Sequence, residues 1–397
     1  MADTRIELLD ASLNLLTWVK QPYPLDKGGR ILQYSKELSD FGQCKFRISS
    51  YDSMFTQFGD VIKPHANHVR IIRGGALVWA GAIIENSKRT KDYVEVVAAE
   101  YEWYLSKIMV ARTSADPSGA GQSGIYRVFN SGTMATAVTA IMNETITTMK
   151  GTQGVHPLAN MTLGTVENPN YPPNLTNGAN PPGPLTGPWS FGNGTTAPQM
   201  IFDYHNVLYI LKSFGNVTYA DFGIDENLVF SFKSFFGNNK NQINFTWGEH
   251  GNAVDFNIPR LGQKMANDLI GIATDNTGVI LHAEQTDQAS IATNGLIQVV
   301  AAYSDVKDQA TLNARIQAEL PLVSNPSDSP AMMVLDEKAY PLGAYSIGDI
   351  VTVNVNHTFL TYSATKRVVG ISVALHNTGR ELTTVQLNTP LPSQVGN

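Results

Sequence analysis

Between Tyr345 and Leu387 the chain alternates apolar and polar residues so regularly that a sheet is the only regular structure it suits. In the first strand Val351, Val353 and Val355 interleave with Ile350, Thr352 and Asn354. That period of two turns one apolar face toward a core. Gly348-Asp349 supplies the turn that feeds it. Residues 366–375, which run Lys-Arg-Val-Val-Gly-Ile-Ser-Val-Ala-Leu, and residues 381–387, Glu-Leu-Thr-Thr-Val-Gln-Leu, read as two more strands with a turn between them.

The N-terminal region carries a second set. Residues 38–48 read as a strand entered through the turn at Gly42, and residues 69–81 as a hairpin whose turn is Gly74-Gly75. Residues 82–88 lead on from Gly81, and residues 93–99 pair with them across the charged turn Arg89-Thr90-Lys91-Asp92. The element closes in the aromatic run Tyr101, Trp103 and Tyr104.

The Gly348-Asp349 turn with its alternating strand, the Arg367-Val368-Val369-Gly370-Ile371 strand and the closing strand resemble the C-terminal part of the tail hub proteins of tailed bacteriophages, also called baseplate hub or tail tip proteins. The Val78-Trp79-Ala80-Gly81 step and the Tyr-rich close are similar to that family's first tube-like β-barrel. The resemblance implies a mainly β chain with α+β insertions: two tube-like β-barrel domains plus two smaller inserted mixed domains. Residues 1–112 would be the first barrel and 113–216 a helix-containing insertion. Residues 217–258 with 332–397 would be the second barrel, and 259–331 an inserted α/β segment. It further implies a homotrimeric ring that continues the tail tube, with a distal tail protein above, fibre or tip proteins below, and DNA passing through the lumen without specific binding. The expected location is the virion tail tip, after assembly in the bacterial host cytoplasm. Relatives often extend into a peptidase, lytic or receptor-binding domain. Here the chain ends ten residues after the last predicted strand, which speaks against a wall-degrading role.

Composition is compatible with that plan. At 397 residues the chain exceeds what a single core usually supports, so two to four domains are expected. Charged residues make up 16%, hydrophobic residues 43% and the net charge is −6, which excludes a disordered tail and a strongly basic polyanion binder. A single cysteine, Cys44, excludes an intramolecular disulfide framework and a multi-cysteine zinc site. The start of the chain does not join a basic segment to an apolar one, and apolar stretches such as 299–303 fall far short of spanning length, so neither secretion nor membrane insertion is expected.

The middle of the chain is organised differently. Residues 113–124 form a small-residue loop. Met134, Val138, Ile141, Met142, Thr145 and Met149 then fall at helical spacing, between Gly132 and Gly151. From 151 to 200 there are nine of the twenty prolines, eight glycines, seven asparagines and a single charge, Glu167. The segment reads as a long loop whose aromatics Tyr171, Trp189 and Phe191 would anchor it, as an arm, on a neighbouring protein. A second helix is expected to carry Ile201, Tyr204, Leu208 and Leu211 on one face and to end at Gly215. Leu228, Phe230 and Phe232, and then Ile243, Phe245 and Trp247, mark strands that would open the second barrel. Asp305 can cap a helix over 306–320 that stops at Pro321.

Motifs that could carry chemistry are weak. Gly119-Ala120-Gly121-Gln122-Ser123-Gly124 spells a dinucleotide loop, but a strand rather than a helix is expected after it. His282-Ala283-Glu284 lacks the Pro-Cys-x-x-Cys half of the deaminase signature. His65 with His68, and Glu249 with His250, supply two ligands each where a catalytic zinc wants three. Ser123 lacks a nucleophile-elbow frame, and Cys44 sits in an expected strand where a buried thiol is inert. Asp225-Glu226 and Asp336-Glu337 read as solvated turn edges, and the sequons at Asn174 and Asn244 have no role without a secretory route. No catalytic residue, cofactor or metal is therefore assigned. The competing readings are a carbohydrate- or receptor-binding tail module, suggested by the loop around Trp189, and a tail-associated peptidase.

Overall fold

The computed structural model describes residues 3–109, 126–129, 132–151, 157–169, 189–190, 196–197, 200–203, 206–218, 220–249, 251–263, 265–275, 277–303, 306, 308–335 and 342–390. The chain is mainly β with α+β insertions. Among the described residues, fourteen strands from both ends of the chain join into one sheet.

Leu360–His376 is the strand on which that sheet turns. Residues 360–367 pair with Ile350–His357, residues 367–375 with Glu381–Asn388, and residues 370–376 with Arg30–Glu37. The last pairing joins the N-terminal strands to the C-terminal ones. From Arg30–Glu37 the order continues through Gln43–Ser49, Tyr93–Glu100, Ala76–Arg89, His68–Arg73 and Thr4–Leu9 to Leu15–Trp18. On the other side Glu381–Asn388 leads to Ala331–Leu335 and Ala253–Asn257. Asn239–Trp247 lies parallel to Ile350–His357.

The sheet curls strongly. Arg73 and Glu381 belong to strands with five others between them in the hydrogen-bonding order, yet Arg73 Nη2 lies 2.7 Å from Glu381 Oε2. Right-handed twist accumulated over many strands brings such distant edges together. The concave face is filled by one core to which both halves contribute, Leu32, Phe46 and Trp79 from one and Phe245, Val353 and Val373 from the other. Val351, Val353 and Val355 are all buried, as the alternation predicts. The Trp79 indole N–H donates to the Ser35 carbonyl at 3.0 Å, so the ring is buried without an unpaired donor.

A second core packs the helices Met134–Gly151 and Val207–Thr218 against the strands Asp221–Ile224 and Val229–Lys233, with Tyr101, Tyr104 and Leu105 from the end of the barrel-like region. The predicted helical face of Met134, Val138, Ile141, Met142 and Thr145 is buried there. In the third core Leu312, Ile316 and Leu320 of helix Gln309–Val323 cover the sheet of Asp268–Thr274, Ile280–Thr286 and Gln298–Ala302. Gly271 allows the approach, since a Cβ there would lie 2.6 Å from the Ile316 side chain.

Four expectations need correcting. The helix after 200 starts at Val207, because the Asn206 side chain accepts the Tyr209 N–H at 2.8 Å and caps it. Ile201 is in the strand Met200–Asp203 paired with Tyr126–Phe129, Tyr204 lies outside the described residues, and Gly215 is inside the helix, where a Cβ would come 2.7 Å from the Ala220 carbonyl. The later helix runs Gln309–Val323 and continues two residues past Pro321, which gives up one i−4 hydrogen bond of the last turn without ending the helix; Asp305 lies outside the described residues. Val229–Lys233 pairs with Thr162–Val166 on one side and Asp221–Ile224 on the other, and this small sheet packs on the helices, so these two strands do not open the large sheet's second half. Part of 151–200 is integral structure: Pro157–Asn160 is a 3-10 turn, Thr162–Val166 is a strand, and Leu158 and Met161 are buried in the second core. The small-residue loop 113–124, with Ser123 and the Gly119–Gly124 motif, lies outside the described residues.

Candidate functional site

The sheet, the helical unit and the turn before Ile350 meet around a cleft of about 540 Å³. The strand Arg30–Glu37 brings Tyr34 and Lys36 to it, residues two apart and so on one face. Glu100 ends the strand Tyr93–Glu100, which lies beyond Gln43–Ser49 in the sheet, and Glu102 opens the short helix Glu102–Leu105. The turn between Asp221–Ile224 and Val229–Lys233 contributes Asp225 and Glu226. Leu77, Phe222, Tyr345 and Ile371 make apolar walls.

Glu100 Oε2 accepts the Gly42 N–H and Glu102 Oε1 the Ile224 N–H, both at 2.6 Å. Lys36 Nζ is ion-paired with Glu226. Glu102 Oε2 is buried and has no hydrogen-bond partner among the described residues. Burial pushes the Glu100 carboxyl well above its ordinary range, the charge of Glu102 adds to this, and Lys36 and the Gly42 N–H oppose it. Burial likewise pushes Glu102 up to about 7 against the Ile224 N–H. Lys36 is lowered by burial, with Glu100 and Glu102 opposing. The Glu102 carboxyl therefore sits near its point of ionisation at neutral pH, so a positive charge beside it would tip it to the charged form.

The residues singled out by sequence are dispersed. His282 and Glu284 are exposed on the strand Ile280–Thr286. His65 is exposed and stacks on Trp103 with centroids 5.3 Å apart, whereas His68 is fully buried. Among the described residues no group of three His, Cys, Asp or Glu could hold a metal. Cys44 is buried in the first core, and burial raises its thiol well above the usual value. Asp225 is a turn residue whose Oδ1 accepts the Asn227 and Val229 N–H groups, but its neighbour Glu226 reaches the cleft and is not a solvated edge. Asn244 accepts a bond from Asn354 at 2.8 Å within the large sheet. Trp189 is in a short strand paired with Gly132–Thr133 and Thr196–Ala197. Tyr171, Phe191, Asn174, His250, Asp336 and Glu337 lie outside the described residues. Sequence reading passed over Glu100 and Glu102, although two carboxylates within Ala98-Ala99-Glu100-Tyr101-Glu102-Trp103-Tyr104-Leu105 stand in an otherwise apolar run.

No family model matches the chain, and no curated protein does. Solved structures do. A tail protein from Neisseria meningitidis superposes with a TM-score of 0.62 at 10% identity, covering 97% of this chain and 96% of that one. The 43 kDa tail protein of prophage MuSo2 from Shewanella oneidensis gives 0.60 at 11% identity, over 98% and 99%. Prophage tail protein gp18 from Listeria monocytogenes gives 0.55 at 11% identity, over 98% and 97%. Along nearly its whole length, the chain therefore has the fold of phage tail proteins, in agreement with the hub resemblance read from its two ends.

Proposed function

We propose that this chain is a structural hub of a phage tail tip or baseplate. The observation that carries the reading is the whole-length likeness in fold to three tail proteins. In this reading three copies close a ring that continues the tail tube, each giving two tube-like units and so a pseudo-sixfold surface. The distal tail protein binds above, fibre or tip proteins bind below, and DNA transits the lumen during ejection. The units are 1–112 and, within 217–258 with 332–397, the strands that join the large sheet; 113–216, on which Asp221–Ile224 and Val229–Lys233 pack, and 259–331 are insertions. The pairing of Arg30–Glu37 with Leu360–His376 supports it, because edge-to-edge hydrogen bonding makes the two units one stiff wall. A conduit for DNA should avoid clustered Lys and Arg, which would hold the phosphates, and a net charge of −6 suits that.

Closed cyclic symmetry needs obligate contacts, on the order of 2,000 Å² or more per interface. Tyr171, Trp189 and Phe191 belong to the same proposal as contacts with neighbouring tail proteins. The virion tail tip is the site of action, after assembly in the host cytoplasm, and no catalysis is involved. The test is imaging of assembled tails with a mass measurement of the particle. A threefold ring of this chain under the tube is expected, and one copy per virion, or six identical copies in the ring, would overturn the reading.

A further inference from the structure

We propose that the cleft between the large sheet and the helical unit is a binding site for a primary alkylammonium group, held head-first on Glu102. Three observations converge. Glu102 is 5% exposed and lines the cleft, and its Oε2 has no hydrogen-bond partner among the described residues although Oε1 is satisfied by Ile224. A buried carboxyl oxygen left in that state is costly, so a donor belongs there.

The second observation is sign. Glu37, Glu100, Glu102, Asp225 and Glu226 line the cleft against Lys36 and Lys233, and Lys36 is already engaged by Glu226. Acidic groups outnumber basic ones, and a cation would hold them ionised whereas a phosphate or carboxylate would add to their repulsion. A divalent metal is a poorer match, since no three-ligand cluster is present among the described residues. The third is shape. A space of about 540 Å³ with Leu77, Phe222, Tyr345 and Ile371 on its walls suits an aliphatic stem of a few carbons behind a charged head. Such a group could come from a lysine side chain of another protein or from a free aliphatic amine. Both present the same chemistry to Glu102.

The experiment is calorimetric titration of the chain at neutral pH with n-butylammonium chloride, with n-butanol as the uncharged analogue and Glu102→Gln as the variant. Saturable binding of the ammonium, lost at least tenfold in Glu102→Gln and at least tenfold weaker for the alcohol, is expected. A dissociation constant on the order of 1 mM is the scale for one charged contact plus a short stem. No saturation, or equal affinity in the variant, or equal affinity for the alcohol, overturns the proposal. Two further ligands separate the sources: Nα-acetyl-lysine N-methylamide binding better than 1,4-diaminobutane favours a protein side chain, the reverse favours a free amine, and either bears out the cation site. Should Glu102→Gln fail to fold, a crystal of the unaltered chain soaked in n-butylammonium decides. Nitrogen within hydrogen-bond distance of Glu102 Oε2 supports the assignment, and water alone at that position overturns it.

Discussion

Arg73 and Glu381, 308 residues apart in sequence, clasp each other with three hydrogen bonds: Nε to Oε1 at 3.1 Å, Nε to Oε2 at 2.9 Å and Nη2 to Oε2 at 2.7 Å. The side chains are only 11% and 9% exposed. This is the forked geometry in which arginine binds a carboxylate best. Because it joins two strands with five others between them in a curled sheet, it stabilises the curvature as well as the local contact.

Arg73→Met leaves the Glu381 carboxylate largely buried without its partner, and should cost roughly 3 kcal/mol. The double variant Arg73→Met with Glu381→Gln should recover part of that loss, with a coupling of about 1–3 kcal/mol. Urea denaturation of the four proteins measures the cycle. Additive losses would show that the pair does not hold the sheet edges together.

A second buried pair fastens the helical unit to the large sheet. Arg367 Nη1 donates to Asp221 Oδ1 at 3.2 Å and Nη2 to Oδ2, while Nε reaches the Gly348 carbonyl at 3.1 Å and Nη2 the Phe236 carbonyl at 3.0 Å. Burial pushes the Asp221 carboxyl up, and the hydrogen bonds and charge of Arg367 pull against that. Arg367→Met should cost roughly 3–5 kcal/mol, since it strands a buried carboxylate and two carbonyls. Adding Asp221→Asn should return some of the loss by removing the stranded charge. Thermal unfolding that ranks the double variant below the single one would contradict this.

Glycine has a different task at two turns with the same sign of φ. Gly348 has φ 92°, and a Cβ there would overlap the Phe236 carbonyl. Gly59 has φ 66° and open space around it. Gly59→Ala should therefore cost about 1 kcal/mol from the backbone alone, and Gly348→Ala at least about 2 kcal/mol because the overlap must be relieved too. Equal losses in denaturant midpoint would refute the steric part of this account.

Legibility in the sequence followed how many faces of an element are apolar. Ile350–His357 was plain because Val351, Val353 and Val355 are buried while Thr352 and Asn354 are not. The first residues of Leu360–His376 were missed although Leu360, Tyr362 and Ala364 alternate with the exposed Thr361, Ser363 and Thr365, because that face holds one large aliphatic side chain and is only half buried against the first core. The helix at Val207 was displaced by its cap: Ile201 matches the helical period but is spent in a strand, and only Asn206 marks the true start. The cleft could not be read at all. Glu100 is held by Gly42 and Glu102 by Ile224, partners 58 and 122 residues away, so nothing local announces that the two carboxyls share a site.

The last prediction concerns acid stability and Glu95, whose side chain is 3% exposed. Burial alone would raise its carboxyl, but hydrogen bonds from Ser87 at 2.7 Å, Arg47 Nε and Nη2 at 2.7 Å, and the Lys45 ammonium at 3.1 Å prevail and lower it from 4.5 to about 2. A folded value below the unfolded one means that the unfolded chain takes up the proton first. The stabilisation is thus complete above the ordinary value of 4.5 and is lost as the pH falls through about 2. Since Lys45 is partly exposed and screened, the contribution is about 2–3 kcal/mol. The difference in urea midpoint between the unaltered chain and Glu95→Gln, measured from pH 7 down to pH 2, should hold steady to about pH 5 and then shrink, whatever the raised carboxyls of Glu100 and Glu102 add to both curves. In Glu95→Gln the whole curve should start lower and this part of the acid limb should flatten. A variant with the same acid limb as the unaltered chain would mean that other carboxyls, and not Glu95, set its acid sensitivity.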